Sequence, residues 1–236
     1  MTESISGPIS GPISGPVSGP ISGPVSGPVS GRTRIRRLQE KAAPDVAALH
    51  AVLDAARVAH VAFVHGGACV NIPVASARDG DRLLLHGSTA SRLFRTLAGG
   101  AEACVAVTLL DAMVLARSAF ESSMHYRSAM IFGRPTEVDD KLTALQAMSE
   151  AWMPGRWATL RDPLPKELAA TMVLQLDLTE WSVKISAGDP DDPAEDLDQP
   201  VWAGVLPIVT SYGTPVPAPD LRGDQLPPPY LADWRI

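Results

Sequence analysis

Ser88, Ser91, Arg92 and Arg95 bring two hydroxyls and two guanidiniums into one short stretch of chain. Wound as a helix, the stretch sets them opposite an apolar stripe of Ala90, Leu93, Phe94, Leu97 and Ala98, spaced i, i+3, i+4, i+7 and i+8. Hydroxyl donors beside a guanidinium are what a phosphate monoester wants. His86-Gly87 ends a strand-like run, which predicts a helix from Ser88 to Ala98, capped by Ser88 or Thr89 and closed by Gly99-Gly100. A helix start also offers an anion free N–H groups and the positive end of the dipole. The same residues suit the polar face of a solvated, capped helix, so both readings stand at this level. The phosphate loop G-x-x-x-x-G-K-[ST] and the nucleophile turn G-x-S-x-G are absent. The acidic run from Asp189 to Asp198 lacks the turn pattern of a calcium loop and reads as solvated. Cys69 and Cys104 have no zinc spacing and read as buried thiols in apolar strands. No carboxylate pair stands out, and no metal site or catalytic residue is assigned.

The elements that would hold these side chains follow from hydrophobic period. Residues 45–56 read as a helix with Val46, Leu49, Leu53 and Ala56 on one face and Pro44-Asp45 at its first turn. Val58 to Val64, Cys69 to Ala77 and Arg82 to Leu85 read as strands, the last two joined at the hairpin signal Asp79-Gly80. Beyond the helix at Ser88, the alternation Ala103, Val105, Val107, Leu109 marks a fourth strand, and Tyr126 to Phe132 a fifth. Leu142, Leu145, Met148 and Trp152 mark a helix opened by Asp139-Asp140. Met172 to Ile185 reads as one last long strand, with Trp202 beyond it as a core-packing residue. Hairpins dominate and no βαβ alternation repeats, which implies a mainly β (α+β), mostly antiparallel barrel with flanking helices.

The stretch from Asn71 to Leu97, NIPVASARDGDRLLLHGSTASRLFRTL, resembles the flavin-binding core of pyridoxamine-5'-phosphate-oxidase-like split barrels. Tyr126 to Gly133, YRSAMIFG, resembles the strand that closes on the flavin in that superfamily, generally from the partner subunit. The resemblance spans about residues 34–210 and looks nearest to nitroimidazole-resistance-type flavoproteins. It implies an antiparallel six-stranded split β-barrel, an FMN cofactor and a homodimer with the flavin at its interface. It also implies cofactor contacts from Asn71, Ile72, Pro73 and Val74 on a hairpin strand and from His86 at a strand end. Ser88, Ser91 and Arg92 would take the phosphate, and Arg127 and Ser128 the ring or the phosphate. Leu93 stands where a lysine is common, which shifts weight to Arg92, with Arg95 in reserve. Arg127 reads equally as a structural ion pair. The Arg/His-rich C-terminus that grips substrate in true pyridoxamine phosphate oxidases is missing, so that activity is not implied.

Bulk properties narrow the function classes. With a net charge of −6, the chain has no general basic footprint for nucleic acid. Its one basic cluster, Arg32, Arg34, Arg36, Arg37 and Lys41, reads as a solvated arm. No apolar run reaches the ~18 residues of a membrane span, and the N-terminus lacks a signal-peptide pattern, so a cytoplasmic location is expected. Residues 6–31 repeat Ser-Gly-Pro-(Ile/Val) and read as a disordered tail, 1–31. Residues 32–210 would form the barrel domain and 211–236 a Pro-rich extension. The expected function is that of an FMN-dependent oxidoreductase acting on a small-molecule substrate such as a nitro compound or quinone. The alternatives are a protein that only binds or senses flavin, deazaflavin or haem, the last with His86 or His125 as ligand, and a tail-driven interaction protein.

Overall fold

The computed structural model describes residues 30–43 and 45–234. The repeat tail up to Val29, and Pro44 at the expected helix start, lie outside the described residues. The first helix, α1 (Val46–Ala55), is capped by the Asp45 side chain, which accepts from the Ala47 N–H at 3.0 Å. Strands β1 (Val58–His65) and β2 (Ala68–Asp79) form the first hairpin, and β3 (Arg82–Ser88) follows the turn at Gly80. Gly80 sits at φ 58, a left-handed turn position that favours glycine.

β2 is shared between two half-sheets. Its first part, 68–75, pairs with β1, and its last four residues, Ser76 to Asp79, pair with β3. The second crossing comes late in the chain. The expected single strand Met172–Ile185 is broken in two by a turn at Leu178–Glu180. β7 (Thr171–Asp177) pairs with β3, and β8 (Trp181–Ser186) pairs with β5 (Ser123–Gly133). The chain turns between them, so that β7 lies in one half-sheet and β8 in the other. Counted as one bent strand, β7 and β8 complete the six of the split barrel. β4 (Ala103–Leu115) pairs with β1 and β5, while β6 (Thr136–Glu137) and β9 (Gly204–Pro207) are short additions that the period did not reveal.

The barrel interior is apolar in alternation. Val61, Leu83, Leu85, Val105, Ile131 and Leu174 are fully or almost fully buried inside it. α1 and α2 (Arg92–Ala98) add Leu49, Val52, Leu93, Phe94 and Leu97 to the same core. A second core lies on the outer face of the β2–β3–β7 half-sheet. There Leu84, Ala77 and Val173 pack under Ala144 and Met148 of α3 (Lys141–Trp152), and α4 (Pro165–Ala170) leads into β7. Leu84 thus points away from Leu83 and Leu85, as a two-residue period requires.

Three sequence expectations change here. Arg32 is a latch rather than part of a solvated arm. It binds Glu180 at 2.8 Å through Nε and Glu102 at 2.7 Å through Nη1, and it lies 4.8 Å over the Phe132 ring. Cys69 is exposed rather than buried, because it falls on the outward-facing side of β2. Trp202 is 69% exposed and rests on Gly204, where a Cβ would meet the indole. In the acidic loop the Asp192 side chain is enclosed. Its side chain, 1% exposed, accepts from the Arg117 backbone N–H at 2.7 Å and from Arg117 Nη1 at 2.8 Å. No helix of the described residues is long and apolar enough to cross a membrane.

Candidate functional site

The site begins where β2 and β3 part. Beyond Ser76↔Leu85 the two strands stop pairing. β2 runs back along β1 with no strand of the described residues on its other edge, while His86, Gly87 and Ser88 continue in pairing with β7. The sequence reading that His86-Gly87 breaks β3 is therefore corrected, because β7 supplies the partner that keeps the strand going. Pro73 lies on the one-sided part of β2, where a missing N–H is tolerated. α2 packs against β3, β6 and β7 and reaches the end of β1. Leu93, Phe94 and Leu97 enter the core, and His65 Nδ1 lies 3.2 Å from Thr96 Oγ1.

Gly87 lets α2 fold back so closely. A Cβ there would lie 2.3 Å from the Phe94 ring. The turn between β3 and α2 is pinned twice. Thr89 donates its N–H to the Ala170 carbonyl at 3.0 Å, and Ser88 Oγ accepts from the Ala90 N–H at 3.1 Å. The helix accordingly starts at Arg92 rather than Ser88, with Ser91 as N-cap. At seven residues it is too short for its dipole to matter much, and the polar side chains must do the work. Ser91 makes no side-chain cap hydrogen bond, so its hydroxyl is uncommitted. Arg92 and Arg95 are exposed, and neither has an ion-pair partner among the described residues.

Of the four β2 candidates, Asn71 and Pro73 face outward and are exposed, whereas Ile72 and Val74 face the core and offer only backbone to a ligand. His86 lies on the outer face with Leu84, its ring 5.7 Å from that of Trp152 and tilted 58°. Its Nδ1 is buried without a hydrogen-bond partner, and burial pushes its pKa below the ordinary imidazole range. The neutral ring therefore prevails at neutral pH. Because the unfolded chain takes up this proton at a higher pH than the fold, stability falls as pH drops through the ordinary imidazole range. Melting temperatures at pH 7.5 and 5.5 should show this loss, and His86→Phe should show a smaller one; an equal loss would remove His86 as its source.

Arg127 and Ser128 are not at this cleft in the same chain. They lie on β5, separated from β2 by β1 and β4. Arg127 is held by Asp111 at the β4 bulge, with contacts of 3.0 and 2.7 Å, so the ion-pair reading describes it in this chain. Ser128 sits in a row with Thr108 and Lys184, on the outer face of the other half-sheet. The split itself was not visible in the sequence. Its one signal was Pro73 inside an otherwise central strand pattern.

A family model described as pyridoxamine 5'-phosphate oxidase matches residues 45–185. No curated protein is a significant match. Among solved structures, a FAD and heme binding protein from Mycobacterium smegmatis is 44% identical, with a TM-score of 0.79; the match covers 82% of this chain and 96% of that one. The flavocytochrome Anf3 from Azotobacter vinelandii is 37% identical, with a TM-score of 0.82, covering 88% and 98%. A protein from Bacteroides thetaiotaomicron assigned to 5-nitroimidazole antibiotic resistance shares the fold at 16% identity and a TM-score of 0.53, covering 61% and 86%.

Proposed function

The chain belongs to the pyridoxamine 5'-phosphate oxidase family, and we propose that it is a flavin-binding redox protein whose phosphate contacts come from Ser91, Arg92 and Arg95. The observation that carries this reading is the group of uncommitted donors at the start of α2, just past the end of β3: a hydroxyl without a capping bond and two guanidiniums without ion partners among the described residues. The residues fit the group. The open edge of β2 from Asn71 to Val74 offers backbone N–H and C=O groups to the polar rim of a flat ring. Arg92 and Ser91 offer charge and a hydroxyl to its phosphate end. A bound flavin supplies hydride and electron transfer, and the protein supplies position and electrostatics. That division agrees with the lack of an obvious acid or base near the cleft. FAD is the flavin named for the 44% identical relative, so FAD stands beside FMN as the cofactor of this reading. The reaction remains an oxidoreduction of a small acceptor such as a nitro compound or quinone.

A homodimer goes with this proposal. Val58, Val64 and Met130 on the outer face of the β1–β4–β5 half-sheet are 50, 62 and 42% exposed, and a partner laid there would cover them. It would also bring a second copy's Ser128 and Lys184 into play. A cytoplasmic location is consistent with the exposed free thiol of Cys69.

Haem is the second reading, favoured by the names of the 44% and 37% identical structures. Both histidines the sequence puts forward keep a buried Nδ1 without a hydrogen-bond partner among the described residues, and His125 also holds the Gly188 carbonyl through Nε2 at 2.9 Å. The absorption spectrum of the purified chain, with mass identification of released small molecules, tests both readings. Flavin bands with FMN or FAD released are expected. A Soret-type band that disappears in His86→Ala or in His125→Ala would establish the haem reading and name its ligand. A colourless protein that takes up neither flavin would overturn the first.

A further inference from the structure

Past β9 the chain runs to the far side of the molecule and folds onto the end of α3. Trp234 donates its indole N–H to the Pro154 carbonyl at 3.0 Å. Tyr230 packs against Gly155 and stacks on Trp234, the ring centroids 5.9 Å apart and the planes at 21°. Tyr212 meets Trp234 edge-on at 5.7 Å. Between the two limbs of this segment lies a groove of about 870 Å³, lined by Tyr212, Pro215, Pro228, Pro229, Leu231 and Trp234. Its surroundings are unusually apolar for bare surface. Val209, Val216 and Leu226 nearby in the chain are 83, 89 and 85% exposed. Aromatic rings set among prolines are the surface that recognises extended, proline-punctuated chain, whose preformed shape loses little entropy on docking.

The chain carries such a ligand. Ser-Gly-Pro-(Ile/Val) recurs from Ser6 to Val29, so every proline is followed by one branched apolar side chain. This repeat ends where Arg32 latches the described chain to Glu102 and Glu180. Its 24 residues, 6–29, span about 75 Å at the ~3.1 Å per residue of an extended proline-rich chain. A folded body of this size is roughly 40–45 Å across, so the groove is within reach from any point on the surface. We propose that the Tyr212–Trp234 groove is a docking site for the chain's own Ser-Gly-Pro-(Ile/Val) repeat, with the Ile and Val side chains meeting the exposed apolar rim. The repeat is then a tethered ligand of the C-terminal segment.

The test is hydrogen exchange on two full-length chains, the natural one and one with serine for every repeat Ile and Val from Ile9 to Val29. The barrel core is untouched by these changes. Amides in 209–215 and 230–234 should exchange roughly five-fold or more faster in the serine variant, with the barrel strands unchanged. A synthetic (Ser-Gly-Pro-Ile)₄ peptide should restore their protection. A dilution series separates a neighbour's repeat, whose protection fades on dilution, from the chain's own. Equal exchange in both chains, or failure of the peptide to restore protection, overturns the proposal. So does protection that ignores the serine changes but fades on dilution or on removal of bound cofactor, since a second barrel or the cofactor would then cover the groove.

Discussion

Arg92→Ala should weaken flavin binding about 10- to 100-fold, the scale of one charged hydrogen bond at about 1.5–3 kcal/mol, and leave the melting temperature of the flavin-free chain unchanged. Both halves follow from what Arg92 touches. It is the first residue of α2, is exposed, and has no ion-pair partner among the described residues, so its removal breaks nothing within the fold. The neighbouring Ser91 hydroxyl makes no cap bond and points to the same use. Arg95, one turn on, is exposed in the same way, so Arg95→Ala should weaken binding less, and the double variant more than either single one. Fluorescence titration with FMN and with FAD reads all three. A dissociation constant that does not move in Arg92→Ala takes this side chain out of the site. Arg127→Ala is the useful contrast, since it breaks the ion pair with Asp111 and loses a contact inside the fold.

How far the sequence reaches can be judged from particular elements. The helix at residues 45–56, the hairpin at Asp79-Gly80, the alternation after Ala103 and the helix before Trp152 lie within a few residues of where the chain folds them. Each rests on local period and turn chemistry, which the chain carries in itself. The misplaced boundaries depend on a distant partner. Ser88-Thr89-Ala90 looks like a helix start, but Thr89 is drawn to Ala170, eighty-one positions on, and β7 takes His86 to Ser88 into its ladder. Met172 to Ile185 has continuous strand character, and only the geometry of two half-sheets explains the turn at Leu178–Glu180. The site shows the same division. Ser91 and Arg92 were legible as residue types at a helix start, whereas the open edge of β2 exists only because β3 leaves it. Arg127 shows the reverse case, a motif position that a neighbour on the adjacent strand already uses: Asp111, at the β4 bulge, pairs with it across to β5.

Gly87→Val should destabilise the chain by about 3 kcal/mol, lowering the melting temperature by roughly 10 °C, and should weaken flavin binding as well. A Cβ at this position meets three Phe94 ring carbons at 2.3 to 2.9 Å, and valine adds two methyls beyond it. Phe94 cannot swing aside cheaply. It is 4% exposed and packs with Leu93 and Leu97, themselves 2% and 0% exposed, in the main core. The strain must instead move α2 relative to β3, and α2 carries Arg92 in its first turn. Stability and affinity should therefore fall together, whereas Arg92→Ala separates them. Phe94→Ala alone should cost about 3–5 kcal/mol through the cavity it leaves. In the double variant that cavity receives the valine, so the two losses should sum to more than the double loses, by about 1–3 kcal/mol. Additive losses would mean that Gly87 and Phe94 do not share the space, and that α2 owes its position to the pinned turn at Thr89 instead. Sub-additive stability with recovered flavin affinity would show that the close approach at Gly87 sets the place of the phosphate-binding side chains.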